Sequence, residues 1–369
     1  MKAKQINLGV VGAGNMGLGF ALRCTKLDTA KVIAIADVPE VCSAYRALAK
    51  GKIEEFLKEF SKHKPGMVSR ARSDPEVSIA LKILAKELDP EKIYSDYHDL
   101  AEDSDIEGVY VATPNVYHAP VSITMLENNK HVLCEKPMAT RVDEAEEMIK
   151  ASKKSGKILQ IGFHHRFDPD AQYVRNLVKA GVLGPIYKTK SYAIHVNRGP
   201  GGWFVQKELA GGGALIDMGV HAIDMTRFLL GDPKAKKVYA KIETRFGDYD
   251  VDDVDILVIE FDNGCTSIVE SGWWNTYSDG SEAATQVFGE KGYARIYPTE
   301  VHTKIGDTWG VFKPSFKRRG SAHFLIIEHF VDCILTGKPT ISPGEAGLEA
   351  QKIIEAAYKS SELGKAIFI

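Results

Sequence analysis

Short apolar runs and amphipathic stretches alternate through the first half of the chain. Residues 6–11, Val32 to Ala36, Ile106 to Ala112, His131 to Cys134 and Ile158 to Gly162 are brief and apolar. Each reads as a buried strand. Residues 15–27, 119–129 and 142–155 carry helical spacing between them. Strands alternating with helices predict a parallel sheet with helices on both faces. In such a sheet ligands lie beyond the carboxyl ends of the strands. Polar clusters stand at those ends: Gly12–Gly17, Asp37, Thr113-Pro114-Asn115 and Glu135-Lys136-Pro137.

One interval breaks the rhythm. The stretch from Asp37 to Ile106 is about twice what a helix and its loops need. Residues 50–92 hold the excess, with Pro65, Gly66, Pro75 and Pro90 among many Lys and Glu. Two amphipathic helices are expected there, near 41–62 and 75–87. They are read either as a solvated helical decoration or as a lid or subunit contact.

After about residue 185 the pattern changes. β-rich runs follow one another at 186–195, 237–246, 254–261, 265–273, 284–288 and 293–297. Asp262-Asn263-Gly264 is a hairpin signal. Strands without helices between them predict an antiparallel sheet. Helices near 322–336 and 344–361 close the chain, parted by Pro339, Pro343 and Gly344. The fold class is therefore α/β, a parallel sheet followed by a second, open and mostly antiparallel one. At 369 residues the chain exceeds one ordinary core, which also predicts two domains.

Composition narrows the function. The 47 basic and 49 acidic residues nearly cancel, so a nucleic-acid or membrane-surface partner is not expected. No apolar run reaches the ~18 residues of a membrane helix, and the first residues lack a signal-peptide core. The five cysteines form no CxxC pair and read as reduced thiols. Together these features predict a cytoplasmic protein.

Gly12-Ala13-Gly14-Asn15-Met16-Gly17 fits G-x-G-x-x-G between a strand and a helix, and Asp37 lies twenty residues on. The glycines allow a tight turn and close approach to a pyrophosphate, and the helix N-terminus supplies N–H donors. The Asp37 carboxylate suits ribose hydroxyls and repels a 2′-phosphate. No Arg follows it, so NAD is favoured over NADP. Lys136, aimed by Pro137, is placed to stabilise an alkoxide or shuttle a proton. Within 211–224, Asp217 and His221 stand at i and i+4 behind three glycines. On a helix they share one face, so the carboxylate can orient the imidazole or raise its pKa. A helix N-terminus with a satisfied Asp–His pair reads equally well. Asp217, His221 and Asp224 lack a further set of metal ligands, so no metal is expected. His164, His165 and Arg166 follow the fifth strand and suit a polyhydroxy ligand. His195, Asn197, Arg198 and Trp203 are candidates for a sugar pocket.

Taken together, these motifs resemble the glucose–fructose oxidoreductase, inositol dehydrogenase and MocA family. Gly12–Gly17, Ala112–Asn115 with His118, Glu135–Pro137, Gly211–Asp224 and the stretch from Gly337-Lys338-Pro339 to Ser360 carry the likeness. The resemblance implies a Rossmann domain at 1–139, with 50–92 inserted, and a substrate-binding domain at 140–369 whose sheet mediates homodimers or homotetramers. It implies that Lys136, Asp217 and His221 are catalytic, with His221 the general base. Thr113, Pro114, Asn115, His118 and Glu135 then join Gly12, Gly14, Asn15, Met16, Gly17, Asp37 and Lys136 around the cofactor. His164, Arg166 and Asn197 join the catalytic three around the substrate. The expected reaction moves a hydride from a sugar, inositol or sugar-acid hydroxyl to NAD. Two other readings accompany it: an NAD-using glycosidase that oxidises a ring carbon transiently, and a nucleotide-sensing regulatory protein.

Overall fold

Six strands form the first sheet: β1 Ile6–Val11, β2 Ala30–Ala36, β3 Ile93–Tyr94, β4 Gly108–Val111, β5 His131–Cys134 and β6 Leu159–Ile161. Their order is β3-β2-β1-β4-β5-β6, and every pairing is parallel. β4 and nearly all of β1 are buried without alternation, as strands covered on both faces must be. The order reverses between β1 and β4, where their carboxyl ends part to leave a crevice. This computed structural model describes residues 4–63, 73–278 and 280–369.

The expected helix at 41–62 is two helices, Pro39–Ala49 and Ile53–His63. Gly51 takes φ +76° between them, and its N–H closes on the Leu48 carbonyl. A left-handed glycine ends a helix in this way. The helix expected at 75–87 is Pro75–Glu87, started by Asp74, whose side chain accepts from the Glu76 N–H. Pro65 and Gly66 lie outside the described residues. The inserted Phe56 and Phe60 are buried and pack on Tyr45, with ring centroids 5.3 and 6.0 Å away. The excess segment is thus anchored in the core of this unit through one aromatic face.

The second sheet has nine strands: β7 Ile186–Val196, β8 Ala235–Glu243, β9 Val254–Phe261, β10 Thr266–Asn275, β11 Ala283–Gly289, β12 Gly292–Ile296, β13 Glu300–Ile305, β14 Thr308–Phe312 and β15 Ile367–Phe368. They run in the order β14-β13-β12-β11-β7-β10-β9-β8-β15. All pairings are antiparallel except β7 with β10, which makes the sheet mixed. A parallel pair needs a crossover, and the helix Val220–Leu229 lies in the chain between those two strands. β9 and β10 join through the expected turn at 262–264.

A single cut at 139/140 does not divide the chain. One compact unit is residues 1–135, 146–162 and 323–344; the other is 136–145, 163–322 and 345–369. Hydrogen bonding explains the difference. β6 completes the parallel sheet against β5, and the Ser342 hydroxyl donates to the Ile161 carbonyl at 2.8 Å. The Gln160 amide reaches the Ile326 carbonyl at 3.0 Å. Segments remote in sequence therefore close the first unit.

Inside the second unit Arg166 is 1% exposed. Its guanidinium donates to both oxygens of buried Asp224 and to Asp232. Removing one partner of such a pair strands the other charge. Arg166→Met is expected to lower unfolding stability by ~3–5 kcal/mol in chemical denaturation. The double variant Arg166→Met/Asp224→Leu should recover most of that loss. An unchanged midpoint in the single variant would refute the account.

Candidate active site

In the first unit, β1 ends in a turn that only glycine can make. Gly12 has φ +84°, and a Cβ there would stand 2.6 Å from the Ala112 carbonyl and the Thr113 nitrogen. A Cβ on Gly17 would stand 2.3 Å from the Gly12 carbonyl oxygen. Gly14 precedes the helix Asn15–Cys24, which has no side-chain cap and no acidic residue in its first turn. Asn15 and Met16 are exposed at that opening. A helix start without cap or carboxylate suits a phosphate.

Asp37 closes the glycine turn. One carboxylate oxygen accepts the Ala13 N–H at 2.6 Å and the other accepts the Val38 N–H at 2.7 Å. The uncharged Val38 is 55% exposed, so no cation stands there for a 2′-phosphate. The Tyr45 hydroxyl, backed by the inserted aromatics, donates to the Ala13 carbonyl at 2.9 Å. Beyond β4, the buried His118 ring contacts the Thr113 carbonyl through Nε2 at 2.9 Å. Pro114 caps the short turn Asn115–Tyr117, and Asn115 is buried. The Thr113 hydroxyl is buried with no hydrogen-bond partner, so a ligand hydroxyl or amide can complete it. Glu135, beyond β5, accepts from the Tyr110 hydroxyl at 2.5 Å, and Tyr110 stacks on Phe20 at 4.2 Å. The turn, the bare helix start, Asp37 and the orphaned Thr113 hydroxyl together fit a dinucleotide.

In the second unit the Lys136 ammonium donates to an Asp217 carboxylate oxygen and to the Asp217 carbonyl, both at 2.8 Å. The other carboxylate oxygen accepts the Trp273 indole N–H at 3.1 Å. Asp217 sits on a π-helical turn, Leu215–Gly219, closed by the Val220 N–H on the Leu215 carbonyl. The turn is anchored from behind. Buried Asp252 accepts the Gly213 N–H at 2.8 Å, the Leu215 N–H at 2.7 Å and the Tyr358 hydroxyl at 2.8 Å. A Cβ on Gly213 would meet the Asp252 carbonyl at 1.9 Å, which is why glycine stands there.

Asp217 and His221 were expected on one helical face, with the carboxylate orienting the imidazole. A π turn carries Asp217, which is held by Lys136 and Trp273. His221 is flanked by His164 and His165, at centroid distances of 5.1 and 5.3 Å and steep ring angles. Burial, aided by the Lys136 charge, pushes His165 down to about 4, so it is neutral at working pH.

The remaining candidates separate. Arg166 is committed to Asp224 and Asp232, so its job is to hold this unit together. Asn197 is exposed in a left-handed conformation beyond β7, its N–H on the Asn275 carbonyl at 2.8 Å. Burial and the Arg198 charge hold His195 below the usual imidazole range, and its Nδ1 is buried without a partner. Trp273 went unnoticed in the sequence because an aromatic in a strand signals only core. Among the described residues no group of three or more His, Cys, Asp or Glu is placed to hold a metal.

Two outcomes follow. Gly12→Ala should weaken NAD binding by about tenfold or more, read by quenching of protein fluorescence. Binding at wild-type strength would refute the cradle. His165 titrates near 4 in the fold against 6.5 unperturbed. Its stabilising effect is complete above about pH 6.5 and is lost as the pH falls toward 4. His165→Phe should therefore flatten the fall in Tm between those limits, and an unaltered slope would contradict it.

Known proteins bear on these two units. Residues 49–163 match the model of an oxidoreductase family with an NAD-binding Rossmann fold. Residues 171–295 match a Gfo/Idh/MocA C-terminal domain. The oxidoreductase YrbE of Bacillus subtilis is 30% identical over 376 residues, covering 99% of this chain and 97% of its own. The D-glucoside 3-dehydrogenase of Escherichia coli is 36% identical over 275 residues, covering 69% of this chain and 77% of its own. A levoglucosan dehydrogenase solved with NADH and L-sorbose superposes with TM-score 0.80 at 22% identity, covering 99% of both chains. With its parallel nucleotide-binding sheet, its mixed second sheet and this likeness over nearly its whole length, the chain belongs to the Gfo/Idh/MocA family of NAD-binding oxidoreductases.

Proposed function

We propose that the protein is an NAD-dependent dehydrogenase that oxidises a secondary hydroxyl of a sugar, inositol or sugar acid. The observation that carries this reading is Lys136, held on Asp217 at 2.8 Å, with Asp217 fixed by Trp273 and His221 four residues on. His221 takes the hydroxyl proton. The Lys136 ammonium stabilises the alkoxide-like oxygen, and Asp217 positions that ammonium. Gly12, Gly14, Asn15, Met16, Gly17, Asp37, Thr113, Pro114, Asn115, His118 and Glu135 would hold the cofactor. NAD, when bound, supplies the hydride acceptor. His164, His195 and Asn197 join Lys136, Asp217 and His221 around the substrate.

Relatives named for D-glucoside, myo-inositol and levoglucosan oxidation support the substrate class. The outer face of the second sheet supports self-association into a homodimer or homotetramer. It exposes the apolar side chains of Tyr239, Ile256, Val258, Trp309 and Val311. Among the described residues no helix is long and apolar enough to cross a membrane. Five buried free cysteines support a reducing, cytoplasmic location.

His221→Asn and Lys136→Met are each expected to cut kcat by ~10²–10⁴. NADH should still bind within about threefold, followed by its fluorescence. Turnover within a factor of two of wild type in either variant would remove that residue from the chemistry.

A further inference from the structure

β7 and β10 run parallel, and both end in irregular backbone. Gly272 pairs with Ile194 and Asn275 with Val196, so β10 carries one extra residue at that point. Such a bulge re-aims a side chain. Trp274 lies in it with φ +63°, a left-handed conformation that a bulky residue rarely adopts. Opposite stands Asn197 with φ +51°. The two irregular ends clasp each other. The Trp274 N–H donates to the Arg198 carbonyl at 2.9 Å, and the Asn197 N–H donates to the Asn275 carbonyl at 2.8 Å.

The re-aimed indole lies on Gly199, where a Cβ would come within 2.4 Å of its Nε1. It remains 39% exposed. One residue earlier in the same strand, Trp273 donates to Asp217. Two polar atoms at the same strand ends are buried without partners, His195 Nδ1 and Asn275 Nδ2. The bulge thus brings together a flat apolar face and two unsatisfied polar edges. Sugar rings carry that combination, apolar C–H faces edged by hydroxyls. Strain at a bulky residue persists only when its surroundings enforce it, and it concentrates at ligand sites.

We infer that Trp274 is the platform for a second ring, the glycosidic partner of the ring oxidised at Lys136 and His221, so that the substrate is a glycoside rather than a free monosaccharide. This rests on the dehydrogenase reading above. The oxidised ring sits against Lys136, Asp217 and His221. Its substituent across the glycosidic bond stacks on the indole, with His195 and Asn275 reaching the hydroxyls between.

The test measures kcat/KM by NADH formation with glucose, methyl and phenyl glucosides of both anomers, and maltose and cellobiose. The wild type should prefer at least one phenyl glucoside or disaccharide over glucose by about tenfold or more. Trp274→Gly, which suits a positive φ, should bring that ratio close to one. Trp274→Tyr should keep most of it. Melting curves show whether each variant is folded. A wild-type ratio near one, or a ratio that survives in Trp274→Gly, overturns the platform and leaves the dehydrogenase reading standing. Oxidation of inositols with no glucoside turned over also overturns it, since inositol has no glycosidic partner. No NADH from any sugar or inositol overturns the dehydrogenase reading and this inference with it.

Discussion

A lysine and a carboxylate that lie 81 residues apart in sequence meet at 2.8 Å, and the second unit is arranged to let them. Burying such a pair costs desolvation on both sides, which attraction offsets only when every remaining polar site is satisfied. Asp217 meets that condition with an indole on one oxygen and the ammonium on the other. The ammonium is also held by the Asp217 carbonyl. The supports reach outward. Asp252 clamps the glycine turn that leads into the π segment, and Tyr358 bonds Asp252. Gly219 fits beside Ser271, whose hydroxyl bonds the buried Asp255 carboxyl at 2.8 Å. Burial, with the Asp252 charge beside it, raises the Asp255 pKa well above the usual carboxylate range.

The glycine turn of the first unit is braced in a comparable way. Asp37 ties down the Ala13 N–H while Tyr45 ties down the Ala13 carbonyl. Tyr45 is in turn packed by Phe56 and Phe60 of the inserted helices. The excess segment that breaks the strand–helix rhythm therefore acts on the nucleotide turn through one hydroxyl. Beside the readings of that segment as a solvated decoration or as a lid or subunit contact, this packing gives its described part a bracing contact with Tyr45.

Much of this was legible in the residues alone, for physical reasons that differ from place to place. β1 and β5 have the bounds that their apolar runs suggested, because continuous burial leaves a continuous signature. The glycine motif was legible because steric exclusion of a Cβ admits one residue type. β3, with two residues, is too short to show a period, and β14 exposes Trp309, Val311 and Phe312 where alternation would be sought. The Lys136 partner of Asp217 was not legible because it stands 81 residues away, and no residue type marks the π turn that carries Asp217. Trp273 and the packing of His164 and His165 on His221 arise from strands and turns distant in sequence. Only the folded sheet brings them together.

The path of the chain has its own consequence for synthesis. The backbone passes between the two units five times. The parallel sheet begins at Ile6, yet its unit includes residues 323–344, and Ser342 fastens β6. A growing chain therefore cannot complete its nucleotide-binding unit when the last of the six strands emerges. That unit stays open, with an unfastened sheet edge, until nearly all of the second unit has followed it out of the ribosome.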